Sequence, residues 1–209
     1  MIIQSDFDGT LTEEDVSFAL LDAFAEGDWR KLYEQYRQSK MTVSAFNAKA
    51  FTMVKASRDE LLRVAREDVK LREGLRNLVS YCQKRGFRFL VVSNGLDFYV
   101  KAILEDVGLG NIEVYAARTE FGPDGLDVQY IGPEGKVLKK GFKKAYTKLF
   151  LKQGYQVACI GNGPSDFFPA ELAQHVFARD ALMDICKAKK LKCQPFEDLN
   201  DVVSGLEKL

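Results

Sequence analysis

The sequence predicts an α/β fold, a doubly wound parallel sheet with a small all-helical domain inserted after the first strand. Two observations lead to this prediction. From residue 75 to residue 189, short apolar runs alternate with helical patterns, as in a sheet built from strand, crossover helix and strand. Residues 13–74 contain no proline and show only helical periodicity. The predicted division is therefore 1–12 with 75–209 for a Rossmann-like α/β core and 13–74 for a helical cap.

The first strand is short and apolar, and four amphipathic helices are predicted in the insertion that follows it. Their apolar faces begin, in order, at Val16, Trp29, Phe46 and Leu61. Thr42 or Ser44 is placed to cap the third helix. Residues 57–60, Ser-Arg-Asp-Glu, have the pattern of a capping box before the fourth helix.

The rest of the chain alternates between helix and strand. Helices are predicted over 75–82, 98–107 and 142–151, with a final helix over 181–189, and strands over 87–93, 112–117, 156–160 and 175–178. The runs 87–93 and 156–160 are apolar almost throughout, as in parallel strands that are covered on both faces. Turn residues at 121–126 and 132–135 indicate a small hairpin beside the sheet.

The bulk composition is that of an ordinary globular protein. Of the 209 residues, 46% are apolar and 29% are charged. The 30 basic and 30 acidic residues cancel, which argues against nucleic acid or an anionic membrane as a partner. The four cysteines form no Cys-x-x-Cys pair and there is one histidine, so a zinc site is not expected. Without a secretory or membrane-spanning pattern, we expect a soluble cytoplasmic protein.

Three polar clusters follow predicted strands: Asp-Phe-Asp-Gly-Thr at 6–10, Ser-Asn-Gly at 93–95, and Gly-Asn-Gly-Pro-Ser-Asp at 161–166. Ligands of doubly wound sheets bind at the carboxyl ends of the strands, where the strand order reverses. Residues i and i+2 of a strand point to the same side, so Asp6 and Asp8 are predicted to face one site. Alone, Asp-x-Asp-Gly is also typical of a solvated turn. The two further clusters favour the site.

The residue types of these clusters suit a phosphate group and a hard cation. Mg²⁺ prefers oxygen ligands and often links carboxylates to a substrate phosphate. The hydroxyl of Ser93 and the main-chain amides of Asn94 and Gly95 are suited to bind phosphate oxygens. A lysine is needed to neutralise the transferring group. Lys143 is the favoured candidate because it opens the helix before the strand 156–160, with Lys139 and Lys140 as alternatives.

In the order and spacing of four motifs, 6–10, Ser93, Lys143 and 161–166, the chain resembles the haloacid dehalogenase superfamily. A helical cap between the first two motifs is similar to the phosphoserine-phosphatase-like branch. Three segments, 67–74, 93–100 and 177–180, are further similar to the methionine-salvage phosphatases that act on a 2-hydroxy-3-keto-5-methylthiopentenyl phosphate. The resemblance implies an enzyme that acts on a small phosphorylated metabolite under a closing cap.

The resemblance also implies roles for individual residues. Asp6 would be the nucleophile that forms an aspartyl phosphate, and Asp8 would protonate the leaving alcohol and then activate water. Mg²⁺ would be held by Asp6, the main-chain oxygen of Asp8 and Asn162, with Asp166 acting directly or through water. Thr10 and Asp15 would lie on the substrate side with Ser93, Asn94 and Gly95. An aspartate at position 8 favours a phosphatase over a dehalogenase, which needs no proton donor.

Three positions near the cap keep two interpretations each. Asp15 either faces the substrate or caps the first helix of the insertion. Arg72 and Glu73, at the return from cap to core, are either functional or structural. Asp97 and Arg179 are expected to form structural ion pairs or caps.

The fourth motif departs from the pattern of the superfamily, because Asn162 stands where an aspartate is usual. The amide oxygen can still bind a cation, but the site loses one negative charge. Three explanations stay open: a phosphatase with weaker metal affinity, an altered metal preference, or a protein that has lost catalysis and binds a phosphorylated ligand in a regulatory role.

Overall fold

Seven strands form one sheet in the computed structural model, which describes residues 1–67 and 69–209. The strands are β1 (Ile2–Ser5), β2 (Arg88–Leu96), β3 (Glu113–Gly122), β4 (Gly125–Gln129), β5 (Val157–Gly161), β6 (His175–Ala178) and β7 (Gln194–Pro195). Their order is β4-β3-β2-β1-β5-β6-β7, and only the β3–β4 pair is antiparallel. The predicted α/β class is confirmed, and the strand order reverses beside β1.

Ten α-helices accompany the sheet in the described part of the chain. They are α1 (Val16–Phe24), α2 (Trp29–Arg37), α3 (Val43–Ala50), α4 (Arg58–Glu67), α5 (Leu75–Lys84), α6 (Asp97–Asp106), α7 (Phe142–Lys152), α8 (Phe167–Ala170), α9 (Asp180–Ala188) and α10 (Leu199–Leu206). Within the described ranges, none of them combines the length and apolar character needed to cross a bilayer.

The helix over 181–189 is not the last one, which corrects the sequence prediction. The chain continues through β7 into α10. Asp198 starts α10 with a capping box, accepting from the main-chain N–H groups of Asn200 and Asp201. The buried face of Leu199, Val202 and Leu206 belongs to the main hydrophobic cluster. The apolar pattern was short, and tertiary packing stabilises a helix of this length more than local propensity does.

The predicted helix starts in the insertion are confirmed in detail. The Thr42 hydroxyl accepts from the N–H of Ala45, so Thr42 rather than Ser44 caps α3. Before α4, the Ser57 N–H donates to Glu60 Oε2 over 2.8 Å, and the N–H of Glu60 lies 3.4 Å from Ser57 Oγ. This pair is the predicted capping box.

The hairpin is also confirmed, because residues 118–122 pair antiparallel with 125–129. It is a direct extension of β3, whose first half belongs to the parallel sheet. β2 runs past the predicted end at residue 93 to Leu96, and its register with β3 shifts between Val92 and Leu96. The second polar cluster therefore lies in an irregular strand end.

Helices α1 to α4 form the segment for which we predict a cap. An antiparallel bridge between Thr12 and Leu71 joins its two connections to the core. One hydrophobic cluster contains Leu20 and Phe51 of the insertion together with Ile3 of the sheet. The division into core and cap stays a prediction. The segment 67–74, which resembles the methionine-salvage phosphatases, includes residue 68, which lies outside the described residues.

Candidate active site

The three polar clusters lie together at one edge of the sheet. β1 pairs in parallel with β2 on one side and β5 on the other, so the residues after these three strands share the carboxyl edge. The loop after β1 carries Asp6 and Asp8, and the loop after β5 carries Asn162 and Asp166. The strand reversal beside β1 therefore brings together residues that are more than 150 positions apart in the chain.

A buried lysine joins two of the clusters. Lys143 is the second residue of α7, and its ammonium lies 2.6 Å from Asp6 Oδ2 and 2.6 Å from Asp166 Oδ1. Only 3% of the Lys143 surface is exposed, whereas Lys139 and Lys140 lie at the protein surface. Of the three candidates, Lys143 is thus the lysine that lies in the site.

The electrostatics of this cluster favour a charged lysine between two acids. Burial alone would lower the pKa of Lys143, but the carboxylates of Asp166 and Asp6 raise it above its usual range. Burial raises the pKa of Asp6 to about 7, and the charge of Asp166 adds to this effect while Lys143 opposes it. The ammonium therefore favours the ionised form of Asp6, the form that a nucleophile requires.

Asp166 is fixed by more than the lysine. Its Oδ2 accepts from the main-chain N–H of Asn162 at 3.1 Å and of Gly163 at 3.0 Å. Only 1% of its surface is exposed. Both of its oxygens are engaged, so Asp166 holds Lys143 and the loop after β5 in place.

Asp8 has a different environment from Asp6, although the two are neighbours in the same loop. Its Oδ1 accepts from the Val16 N–H at 3.0 Å and its Oδ2 accepts from the Tyr99 hydroxyl at 2.6 Å. Both donors are neutral. Burial raises the pKa of Asp8 to about 8, the charge of Asp15 adds to the rise, and the hydrogen bonds from Tyr99 and Val16 oppose it. Asp8 therefore holds a proton more readily than an ordinary carboxyl group.

Asn162 and Thr10 contact each other across the site. The Thr10 hydroxyl is fully buried and donates to Asn162 Oδ1 at 3.0 Å, which orients the amide. Gly9, at φ +71°, has no room for a side chain, because a Cβ there would collide with Asn162 Nδ2. The structure thus places Thr10 beside the residue of the altered fourth motif. A contact between Thr10 and substrate stays a prediction.

A hard cation at this site would be bound by three different kinds of oxygen: a carboxylate, a main-chain carbonyl and a side-chain amide. Among residues 1–67 and 69–209, no three His, Cys, Asp or Glu side chains are placed to share one metal ion. The Asp6 carboxylate, the main-chain oxygen of Asp8 and the Asn162 amide oxygen remain as donors. The oxygens of Asp166 contact Lys143 and two main-chain N–H groups, and a role of Asp166 at the metal stays a prediction. The main-chain oxygen of Asp8 accepts no hydrogen bond from any described residue. Mg²⁺ accepts such oxygen ligands and completes its shell with water, so the set fits it with one charge fewer than two carboxylates supply.

The second cluster contributes a buried hydroxyl, that of Ser93, for which binding to phosphate stays a prediction. Ser93 is fully buried, and its Oγ accepts from the Gly95 N–H at 3.0 Å, which leaves its own proton free to be donated. The Gly95 amide, predicted to bind phosphate, is used by this contact in the structure. The main-chain oxygen of Asn94 accepts from Asn47 Nδ2 at 2.9 Å and from the Tyr130 hydroxyl at 2.7 Å. A helix of the insertion thereby contacts the loop at the end of β2.

Asp15 and Arg72 both stabilise the chain around the first motif. Asp15 caps α1 by accepting from the Phe18 N–H at 3.0 Å, which confirms that interpretation. Burial raises the pKa of Asp15 to about 6, and the charge of Asp6 contributes to this rise. The guanidinium of Arg72 is buried and donates to the main-chain oxygens of Gly9, Thr10, Thr12 and Glu197. Arg72 is a structural clamp on the loop after β1.

Three residues of the site were missed from the sequence: Tyr99, Asn47 and Tyr130. Tyr99 lies in the first turn of α6, which follows the second cluster directly, and first-turn residues after a catalytic strand end lie close to the site. That position was the available signal. Asn47 and Tyr130 carried no signal, because they come from the insertion and from the segment after β4, whose packing the sequence pattern does not specify.

The chain is similar in sequence to known proteins over most or all of its length. A family model described as haloacid dehalogenase-like hydrolase matches residues 3–168. A curated relative from Brevibacillus brevis, named 2-hydroxy-3-keto-5-methylthiopentenyl-1-phosphate phosphatase, is 26% identical and the match covers 100% of this chain and 96% of the relative. A protein of the same name from Geobacillus thermodenitrificans is 28% identical, with the same coverage of both chains.

Two solved structures are similar to this chain in fold over nearly its whole length. One, described as a phospho-aspartyl intermediate analogue of phosphoserine phosphatase, has a TM-score of 0.71 at 22% identity and covers 97% of each chain. Another, a phosphoserine phosphatase from T. onnurineus, has a TM-score of 0.72 at 19% identity and covers 100% of this chain and 94% of that one.

Proposed function

The chain belongs to the haloacid dehalogenase-like hydrolase family, and we propose that it is a Mg²⁺-dependent phosphatase that hydrolyses a small phosphomonoester through an aspartyl phosphate on Asp6. The observation that carries the proposal is the contrast between Asp6 and Asp8. Asp6 is paired with the ammonium of Lys143, and Asp8 is held by two neutral donors. Two carboxyl groups in one loop are thus suited to two roles, attack and proton transfer.

In the first half of the reaction, Asp6 attacks the phosphorus atom and the bond from phosphorus to the ester oxygen breaks. Asp8 gives its proton to that oxygen, so the alcohol leaves in neutral form. Lys143 stabilises the negative charge that gathers on the reacting groups. The hydroxyl of Ser93 donates to a phosphate oxygen and orients the group.

In the second half, the aspartyl phosphate is hydrolysed. Asp8, now ionised, takes a proton from the attacking water, and the bond between phosphorus and the Asp6 oxygen breaks. Inorganic phosphate and the starting carboxylate result, and Asp8 again carries its proton. Bound at Asp6, the main-chain oxygen of Asp8 and Asn162, Mg²⁺ would supply positive charge against the phosphate oxygens.

The first test is a panel of phosphate esters assayed with Mg²⁺, comparing the wild type with Asp6→Asn. Asp184→Asn, an exposed aspartate on α9, is the matched control. We expect turnover in the wild type and the control and its loss in Asp6→Asn, because an amide is a poor nucleophile. Absence of turnover in all three proteins, or full activity of Asp6→Asn, would overturn the proposal.

The substrate that the curated relatives' name gives, 2-hydroxy-3-keto-5-methylthiopentenyl-1-phosphate, belongs in that panel. We propose a substrate of this size and class, a phosphorylated metabolite that fits beneath the helical insertion. Phosphoserine is the second compound to include, because phosphoserine phosphatases share the fold. A preference of at least tenfold in kcat/KM for either compound identifies the leaving group.

A second candidate function rests on Asn162. The missing carboxylate favours a protein that binds a phosphorylated ligand without hydrolysing it. Asn162→Asp separates the two functions, because it restores one charge to the oxygen set that faces the cation. If the wild type is inactive and Asn162→Asp is active, the binding role is supported. If the wild type is active and the substitution only lowers the Mg²⁺ concentration for half-maximal rate, by about tenfold, the phosphatase is supported.

A further inference from the structure

Asp8 is held in one orientation by two donors from different elements. The Val16 N–H, in the first turn of α1, contacts Oδ1, and the Tyr99 hydroxyl, in the first turn of α6, contacts Oδ2. A carboxyl group with one partner on each oxygen has a fixed plane as well as a fixed position. Only Tyr99 provides a side chain for this purpose in the described part of the chain.

The ring and the hydroxyl of Tyr99 both have close neighbours that hold the side chain in place. It is fully buried, with its ring beside those of Phe7 and Phe98 at centroid distances of 6.3 and 5.6 Å. Its hydroxyl also lies 2.8 Å from the hydroxyl of buried Ser17 on α1. The result is a chain of three polar groups, Ser17, Tyr99 and Asp8, of which Ser17 and Tyr99 are buried and Asp8 is half-buried.

The neighbouring backbone leaves room for this chain only because residue 95 is glycine. A Cβ at Gly95 would collide with both the Tyr99 hydroxyl and Asp8 Oδ2. The second polar cluster therefore provides the space at Gly95, which has no side chain, as well as the hydroxyl of Ser93. The contact between Asp8 and Tyr99 lies where three segments approach one another closely. These are the loop after β1, the end of β2 and the start of α6.

We propose that Tyr99, supported by Ser17, is a positioning residue that holds the Asp8 carboxyl group in the orientation for proton transfer to the leaving oxygen. This inference rests on the proposed phosphatase function. The Tyr99 hydroxyl donates to Oδ2, so it remains a partner of Asp8 both before and after Asp8 gives its own proton to the leaving oxygen. Ser17 can in turn donate to the Tyr99 hydroxyl, and the burial of these two residues limits competition from water for their contact.

A positioning role predicts a defect that depends on the leaving group. An alkyl phosphate releases a poor leaving group that needs the proton of Asp8, whereas p-nitrophenyl phosphate releases a phenolate that leaves without one. Under initial-rate conditions kcat/KM includes the steps up to alcohol release, so it reports this transfer and not the later hydrolysis. A role in packing alone would lower both rates to the same degree or raise KM for both.

The experiment measures kcat/KM for both substrates in the wild type, Tyr99→Phe, Ser17→Ala and Tyr146→Phe. Tyr146→Phe is the control, because Tyr146 is also buried and donates to a main-chain oxygen, that of Ile131, away from Asp8. We expect Tyr99→Phe to lose roughly tenfold or more with the alkyl ester and less than about threefold with p-nitrophenyl phosphate. Ser17→Ala should show the same preference at smaller size, and the control should keep both rates.

The outcomes separate this inference from the function on which it rests. If the wild type hydrolyses neither substrate, the phosphatase proposal fails and the inference fails with it. If the wild type hydrolyses both and Tyr99→Phe affects them equally or not at all, only the positioning role is overturned. If Tyr99→Phe does not fold, Ser17→Ala decides, because an equal effect on both substrates in that variant contradicts the role.

Discussion

The ammonium of Lys143 lies 2.6 Å from the carboxylate of Asp6, and both groups are almost completely buried. The same ammonium contacts Asp166, so one positive charge serves two acids in the interior. A buried charge is stable only when it is paired, and each of these three residues depends on the others. Lys143, Asp6 and Asp166 therefore form one buried cluster of paired charges within the site.

Replacing Lys143 by methionine should therefore remove activity and weaken the fold. We expect a loss of about 100-fold or more in kcat, because a group that stabilises transition-state charge is lost. Leaving two buried acids without their partner should also cost about 3–5 kcal/mol in the free energy of unfolding. Steady-state kinetics and thermal unfolding measure the two effects.

Lys140→Met is the control for this substitution, because Lys140 is exposed and two positions from the start of α7. It should behave as the wild type in both measurements. An active Lys143→Met protein, or an equal loss in Lys140→Met, would show that the wrong lysine was assigned.

Asn47 should link the helical insertion to the phosphate side of the site. Its amide donates to the main-chain oxygen of Asn94 and, at 2.6 Å, to the Tyr130 hydroxyl. Asn47→Ala leaves these buried groups with one donor fewer, so we expect a cost of about 1–3 kcal/mol in unfolding free energy and a several-fold lower kcat/KM. Asn77→Ala, which removes an exposed amide that contacts Asn200, should change neither. Equal kinetics for the two variants would argue against the link.

The carboxyl groups of the site should make the metal-free protein less stable as pH rises. Burial raises the pKa of Asp8 from 3.8 to about 8, so the folded state binds this proton more tightly than the unfolded state does. The resulting stabilisation is complete below pH 3.8 and is lost as pH rises through about 8. In the presence of a chelator, Tm of the wild type should fall between about pH 5 and pH 8.

Asp8→Asn tests this assignment, because an amide does not titrate. The fall in Tm should shrink by about 2–4 °C or more, equivalent to ~1 kcal/mol for a chain of this size. Asp184→Asn should keep the slope of the wild type, since this aspartate is exposed. An unchanged slope in Asp8→Asn would mean that burial does not act on Asp8 as described.

The part of this site that follows from strand ends was predictable from the sequence, and the part that depends on packing was not. Asp6, Ser93 and Asn162 each follow an apolar run, and parallel strands place such residues at one edge. The sequence favours Lys143 because its helix leads into β5. The hydrogen bond from Tyr99 to Asp8 depends on the rotation of α6 about its axis, which apolar periodicity does not fix to within one side chain.

Two longer-range features were out of reach for the same physical reason. The sequence leaves Arg72 either a functional or a structural role, and only the fold shows that it donates to four main-chain oxygens, one of them from Glu197. α10 was missed because its apolar pattern, at positions 199, 202, 203 and 206, spans only eight residues. Asn162 is the opposite case, since the sequence alone reveals the exchanged residue and the structure adds its contact with Thr10.

The most direct test of the central claim is the mass of the protein after rapid acid quench. Asp8→Asn should be mixed with p-nitrophenyl phosphate and Mg²⁺, because this substrate needs no acid to form the intermediate and the variant lacks the base that hydrolyses it. We predict one added phosphoryl group, located on Asp6 by peptide fragmentation and absent from the Asp6→Asn, Asp8→Asn double variant. If the wild type hydrolyses this substrate and Asp8→Asn carries no phosphoryl group, or carries it on another residue, Asp6 is not the nucleophile.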